Sequence, residues 1–382
     1  MRAVTRLVDP PTPDRPLALA VSGGPDSMAM LALAAAAFPG SIVAATVDHG
    51  LRADAADEAA MVARWCAAHA VPHATLTADR PPAGASLQAQ ARRLRYALLG
   101  DWALHTDATA LATAHHADDQ AETFLMRAAR ASGPAGLAGI RPVWSFEAAR
   151  WDAHSPARSG TPPPPRTSLP PIPPTSSRRR PGSPSSERNA KPPHDPRPLW
   201  DDGRAVHETS VADDAAPLTV IRPLLDWRRR ELREIATGLP FVDDPANADP
   251  RHDRTAFRAL LANADLDPVA LAAAAAHCRE ADEALTETVD WLWRTRRLPS
   301  AAGEHRIDVT DLPRELRRRL CRTAIGDIRR VAGITEGRWS DGSNIEPLLA
   351  TLDAGRPATH AGVLVIPHGA VWQFRNSPPR RS

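Results

Sequence analysis

The chain of 382 residues has a single lysine, Lys191, and its three cysteines, Cys66, Cys278 and Cys321, stand far apart. Cysteines so scattered give neither a disulfide framework nor a Cys-x-x-Cys pair for zinc or redox work, which fits a reducing compartment. A lone lysine in a Pro-rich stretch removes the Walker A site, whose lysine neutralises the outer phosphates, and argues against a lysine Schiff base. Aromatic residues are only 4% of the chain, yet the apolar content of 43% suffices for a core. No apolar run approaches the length of a bilayer span, and no apolar core follows a basic segment near Met1, so the expectation is a cytoplasmic protein without membrane attachment. The net charge of +2 is too small to argue for nucleic acid by itself. Arginine is locally clustered at Arg228-Arg229-Arg230 and Arg317-Arg318-Arg319, and such runs are more often solvated helix faces than binding sites.

What is present is the stretch Val21-Ser22-Gly23-Gly24-Pro25-Asp26-Ser27, between the apolar run Leu17–Val21 and a small-residue helical pattern, Met28 to Ala37. A strand that breaks into a Gly-Gly turn and then a helix aims backbone N–H groups and a helix N-terminus at one point, which suits phosphate. The spacing is not the Gly-x-Gly-x-x-Gly of a dinucleotide fold. In Ser-Gly-Gly-x-Asp-Ser, the hydroxyls of Ser22 and Ser27 and the loop amides can bind phosphate oxygens, while Asp26 can help hold magnesium. The loop resembles the PP-loop of the N-type ATP pyrophosphatases.

Through the first 140 or so residues, strands expected at Leu17–Val21, Ile42–Val47, His73–Leu76 and Ala110–Ala114 alternate with helices at Met28–Ala37, Asp54–Ala70, Ser86–His105 and Asp118–Ala131. The expectation is an α/β fold, a Rossmann-like doubly wound parallel sheet, followed by helical and small α+β C-terminal regions. Ligands bind at the carboxyl ends of such strands, where Ser22, Asp48 and His115 stand. Residues 144–216, rich in Pro, Ser and Arg, read as a disordered insertion with too few apolar residues to offset the entropy of ordering. Order is expected to return with a strand at Leu218–Leu225. The expected domains are a PP-loop unit over 1–143 and 217–227, a helical region over 228–335 and a small α+β tail over 336–382.

Two further constellations carry chemistry. Val47-Asp48-His49-Gly50-Leu51-Arg52 ends a strand, and His115-His116-Ala117-Asp118-Asp119-Gln120-Ala121-Glu122-Thr123 ends another and opens a helix. Spacings of three and four put Asp118, Asp119 and Glu122 near one face of the first turns, where carboxylates can bind a cationic substrate or a metal, or simply offset the helix dipole. Adjacent histidines point in different directions, so His115, His116 and Asp119 make a poor zinc set.

Together with Ala91-Arg92-Arg93-Leu94-Arg95-Tyr96, Gly136-Leu137-Ala138-Gly139-Ile140, Arg222-Pro223-Leu224-Leu225, Asp244-Pro245-Ala246-Asn247 and Ser340-Asp341-Gly342, these motifs resemble the tRNA(Ile)-lysidine synthase family, in order and over nearly all of the chain outside 144–216. The resemblance implies an enzyme that uses ATP and Mg2+ to adenylate the cytidine at the first anticodon position of an isoleucine tRNA with a CAU anticodon. Free L-lysine then displaces AMP, and the codon read changes from AUG to AUA. It implies ATP binding at Ser22, Gly23, Gly24, Pro25, Asp26 and Ser27, with magnesium at Asp26. It also implies lysine binding or catalysis at Asp119, Glu122 and Arg95, and tRNA contact at Arg254 and Arg258. The chain reads Arg254-Thr255-Ala256-Phe257-Arg258 where the family more often has Arg-Asn-x-x-Arg. The alternatives are another PP-loop enzyme, modifying tRNA or adenylating a small molecule, and a nucleotide-binding module that does no chemistry. A thiolase would need the clustered cysteines absent here.

Overall fold

The computed structural model describes residues 2–50, 54–78, 87–146, 217–243, 253–335, 339–340 and 343–377. It divides into two compact units, one of Met1–Arg130 with Ile140–Ala273 and one of Ala131–Gly139 with Ala274–Ser382. The expectation for 147–216 and the motifs at Leu51-Arg52, Asp244–Asn247 and Asp341-Gly342 lie outside the described residues.

After a short helix α1 (Arg2–Leu7), the first unit runs β1 (Leu17–Ala20), α2 (Pro25–Ala37), β2 (Ile42–Asp48), α3 (Ala55–Ala68), β3 (His73–Thr77), α4 (Leu87–His105), β4 (Ala110–Ala112) and α5 (Ala117–Ala128). It continues with β5 (Val143–Phe146), β6 (Leu218–Ile221), α7 (Arg229–Ala236) and α8 (Asp253–Asn263); the single turn of helix α6 (Pro134–Leu137), which precedes β5 in the chain, belongs to the second unit. The strands form one sheet in the order β3-β2-β1-β4-β6-β5, parallel except for β5.

Period-two alternation explains why both faces are covered. Leu17, Leu19 and Val21 pack with Met28, Leu31, Val62, Trp65 and Leu232 on one side, whereas Ala18 joins Tyr96, Leu99, Leu111 and Val220 on the other. The buried thiol of Cys66 is pushed up to about 12 by burial, which keeps it an inert apolar filler.

Three expectations need correction. Residues 144–146, read with the insertion, belong to β5, which pairs antiparallel with β6 from Val143↔Ile221 to Phe146↔Leu218. Four residues are too short a run to announce a strand beside so much proline, but Phe146, 1% exposed, anchors the second face. Its ring lies where a Cβ on Gly100 would come within 2.3 Å, so helix α4 accepts the ring only with glycine there. The boundary expected at 227/228 also moves, because Leu232 and Ala236 of α7 are fully buried in the first core. The division falls inside helix α9 (Pro268–Thr295) instead.

The third correction concerns the tail. Strands β7 (Arg297–Leu298) and β8 (Glu304–Asp308), in a region read as helical, join β9 (Ala358–His360), β10 (Val363–His368) and β11 (Val371–Asn376) in an antiparallel sheet ordered β7-β8-β11-β10-β9. Helices α10 (Arg314–Val331) and α11 (Glu346–Asp353) contribute Leu320, Ile325, Ile328, Leu348 and Leu352 to a core with Val363, Val365, Trp372 and Phe374.

Candidate active site at the switch point of the sheet

In the first sheet β1 lies between β2 and β4, so the chain order reverses there and the crevice beyond the carboxyl ends of β1 and β4 is the natural ligand position. The turn after β1 is built for an anion. Gly23 holds φ +82°, a left-handed conformation that L side chains avoid. Ser27 Oγ donates to the Gly24 carbonyl at 2.9 Å, accepts from the Ser22 N–H at 3.2 Å and lies 3.2 Å from Ser22 Oγ. Pro25 starts α2, no side chain caps it, and Met28 N–H to the Gly24 carbonyl is the first intrahelical bond. The N–H groups of Asp26 and Ser27 are therefore left for a ligand. Val242 N–H donates to the Gly23 carbonyl at 3.0 Å, fastening the segment after α7 to this turn.

Asp26 follows on α2. Its Oδ1 is buried without a hydrogen-bond partner, and its Oδ2 lies 3.4 Å from His116 Nε2. Magnesium keeps several waters and is commonly held by one or two carboxylates together with substrate phosphates, so this carboxylate beside a phosphate-shaped turn fits that ion. Among the described residues no group of three or more His, Cys, Asp or Glu side chains is arranged to hold a metal.

The turn after β4 completes the crevice. His116, 1% exposed, caps α5: the Asp119 N–H donates to its Nδ1 at 3.4 Å while the His116 N–H donates to Asp119 Oδ2 at 3.2 Å. Burial opposes charge on this ring, but Asp119 and Asp26 outweigh it and shift its pKa upward. The cap bond belongs to the neutral ring, and in the imidazolium Nδ1 faces Asp118 Oδ2 at 3.8 Å instead. Asp119 is pulled the other way: burial works against its charge, but His116, Arg254 and Arg229 hold it far below the usual carboxylate range. It is a fixed anion at working pH. His115, one residue earlier, is kept neutral by burial and by Arg222, with a pKa lowered to about 3.

The other two acids are engaged from within. Asp118 Oδ2 accepts from the Arg229 N–H at 2.7 Å and from Arg228 Nε at 3.2 Å, tying α5 to the start of α7. Glu122 is fully buried, its Oε1 accepting from Arg258 Nε at 2.8 Å and from Arg229 at 3.1 Å. Of the expected lysine-binding carboxylates, Asp119 thus stands in the crevice with 16% of its side chain exposed, whereas Glu122 lies behind two guanidinium groups. Arg95, on the exposed side of α4, donates to His49 Nε2 at 3.4 Å, and burial together with Arg95 lowers the His49 pKa to about 4.

The motifs after β1, β2 and β4 therefore gather at one edge, joined by Arg258 from α8. The sequence reading missed Arg228 and Arg229, taken as a solvated face, and gave Arg222 no role although it closes a buried strand. The signal available was the count of acids opposite: α5 opens with three carboxylates, more than a helix dipole requires.

Residues 1–157 match the PP-loop domain family. The chain is 34% identical over 372 residues to the tRNA(Ile)-lysidine synthase of Zymomonas mobilis, covering 96% of this chain and 89% of that protein. It is 35% identical over 373 residues to the tRNA(Ile)-lysidine synthase of Novosphingobium aromaticivorans, covering 97% and 91%. The synthase of Methylobacterium nodulans is 53% identical over 126 residues, 33% of this chain and 37% of that protein. With the glycine turn, the capped acids of α5 and this coverage together, the chain belongs to the tRNA(Ile)-lysidine synthase family.

Proposed function

We propose that the protein ligates free L-lysine to C2 of the cytidine at the first anticodon position of a CAU-anticodon isoleucine tRNA, cleaving ATP to AMP and pyrophosphate. The observation that carries this reading is the meeting of the phosphate turn and Asp26 with His116 and Asp119 across the switch point, in a member of this family.

The turn at Ser22–Ser27 binds the ATP phosphates through its amides and hydroxyls, with Asp26 the ligand for Mg2+. That ion, when bound, supplies charge neutralisation for the departing pyrophosphate. The base oxygen attacks the α-phosphate and pyrophosphate leaves, which turns a poor leaving group into AMP. A neutral amine of lysine then attacks C2, the C–O bond breaks, and AMP departs with the oxygen. Asp119, held ionised by its cationic neighbours, suits a ligand for an ammonium group better than a proton acceptor. His116 keeps Asp26 and Asp119 in register, which makes it a positioning residue. Glu122 secures Arg229 and Arg258 and comes into contact with lysine only when Arg258 moves aside. Arg95 is assigned to the adenylate or the substrate, and Arg254 and Arg258 to tRNA.

The test is incorporation of radiolabelled lysine into an unmodified isoleucine tRNA transcript bearing CAU, with and without ATP and magnesium. ATP-dependent label in the tRNA is expected. AMP formation without label would move the activity to another acceptor, and nucleotide binding without AMP formation would leave a non-catalytic module.

A further inference from the structure

We infer that Arg258 occupies the place of the substrate ammonium at Glu122 and that tRNA draws it away, so that lysine enters after the RNA. The inference rests on the lysine reading above and adds to it an order of binding. Glu122 is fully buried, and Arg258 covers it with one edge of its guanidinium, Nε donating to Oε1 at 2.8 Å and NH2 to Oε2 at 3.5 Å. Arg229 NH2 donates to the same Oε1 at 3.1 Å. A carboxylate so completely withdrawn from water needs a cation beside it at all times, because a buried charge left alone is severely destabilising. Free lysine therefore meets a site already filled by cations of the chain itself.

The two cations are not equivalent. Arg229 is fixed: its N–H donates to Asp118 Oδ2 at 2.7 Å, and its guanidinium also lies 3.9 Å from Asp119 Oδ1. Burial opposes its charge, but Glu122 and Asp119 outweigh burial and raise its pKa. Arg258 comes from a different element, α8, and its side chain is 34% exposed against 23% for Arg229, so it is the one a polyanion reaches first. Its departure leaves Glu122 paired with Arg229, and the buried charge is never stranded.

The place it leaves suits a primary ammonium. Asp119 and Glu122 are three residues apart on α5 and both face Arg229, so a cation in the position of Arg258 bonds Glu122 and feels the fixed charge of Asp119. As part of the chain, Arg258 competes there at a high effective concentration that lysine in solution does not match. A phosphodiester of the tRNA changes the balance, since its oxygens accept bidentately from a guanidinium fork and repel the carboxylates beside it. By linkage the effect is mutual: whatever factor tRNA adds to the affinity for lysine, lysine adds to the affinity for tRNA.

The test is equilibrium dialysis of radiolabelled L-lysine against the full chain, with and without saturating unmodified isoleucine tRNA bearing CAU, and without ATP so that no turnover follows. For the wild type, tRNA is expected to tighten the lysine Kd about tenfold, within the range usual for coupled sites. Arg258→Gln is expected to bind lysine without tRNA at least as tightly as the wild-type complex does, and tRNA then adds less than about twofold, the convention for no coupling. In Arg258→Ala, methylguanidinium, the head of the deleted side chain, is expected to restore the block and raise the lysine Kd severalfold. Glu122→Gln should bind lysine weakly with or without tRNA, and thermal melting checks that each variant folds. Coupling to tRNA that survives in Arg258→Gln would overturn the inference. So would weaker lysine binding in both Arg258 variants, which would make that arginine part of the lysine site. Lysine incorporation by a wild type that shows no coupling would refute the order of binding alone, and intact coupling without incorporation would refute the lysidine reading alone.

Discussion

Arg228-Arg229-Arg230 and Arg317-Arg318-Arg319 look alike in the sequence and do different work. In the second unit, Arg319 pairs with Asp282 at 2.7 Å, the two side chains 8% and 1% exposed, and also donates to Glu315. Arg318 bridges Glu315 and Glu346, and Arg317 pairs with Asp353, so all three charges are spent in holding α10 to its neighbours. In the first unit, Arg228 and Arg229 meet Asp118, Asp119 and Glu122 at the mouth of a crevice. Arg319 is structural because its partner is sealed in a core, and Arg317 and Arg318 because theirs tie one helix to another, whereas Arg228 and Arg229 meet their acids beside the crevice of the first sheet.

The sharpest way to break this comparison is Arg319→Ala. It removes the guanidinium that pairs with the buried Asp282 and should cost about 3–5 kcal/mol of stability, read from the melting of the second unit. Replacing both residues by apolar ones of similar volume should recover most of that loss, since desolvation offsets much of what a buried pair contributes. On the other side, Asp119→Asn should lower kcat/KM for lysine about 100-fold or more, as loss of a catalytic-site charge commonly does, with a far smaller change in melting temperature. Equal damage to stability and activity in both variants would erase the distinction.

Arg258→Ala sharpens it further. Opening Glu122 should lower the lysine KM severalfold while weakening tRNA binding about tenfold, with a salt dependence reduced by roughly one phosphate contact. A lysine KM that rises instead would make Arg258 part of the lysine site rather than its competitor.

The smallest effects come from the paired histidines. The folded pKa of His116 is raised, so its contribution to stability is full below about 6.5, the unfolded value, and is lost as pH rises through the folded one. The His115 pKa is lowered to about 3, so its contribution is present above the unfolded value and lost as pH falls toward that figure. Melting curves from pH 3 to 9, a range set by these two directions, should converge with the wild type at high pH for His116→Asn and at low pH for His115→Gln.

The sequence showed the crevice because each motif is local: a turn, a strand end and the first residues of a helix each announce themselves within about ten positions. The β1–β4 alternation was legible for the same reason. Ion pairs were not. Arg228 and Asp118 stand 110 positions apart, and nothing in either neighbourhood names the other. Strand β5 was hidden by its shortness, and β7–β8 by the two-residue length of β7 beside a long helix. Glu122 and Asp119 could be ranked only once burial was known.

The pairing of Phe146 with Leu218 has a consequence for the chain between them. That polypeptide leaves and rejoins the sheet at neighbouring points on one edge, as the two ends of a hairpin do, so its length is decoupled from the register of every other strand. Loop-closure entropy grows only with the logarithm of length, about 0.6 kcal/mol per doubling, and growth from a four-residue turn to roughly seventy residues costs on the order of 2.5 kcal/mol. Evolution can therefore lengthen or trim this excursion almost freely, and an engineer could graft a tag or a second domain there without disturbing the end of the sheet that carries the glycine turn.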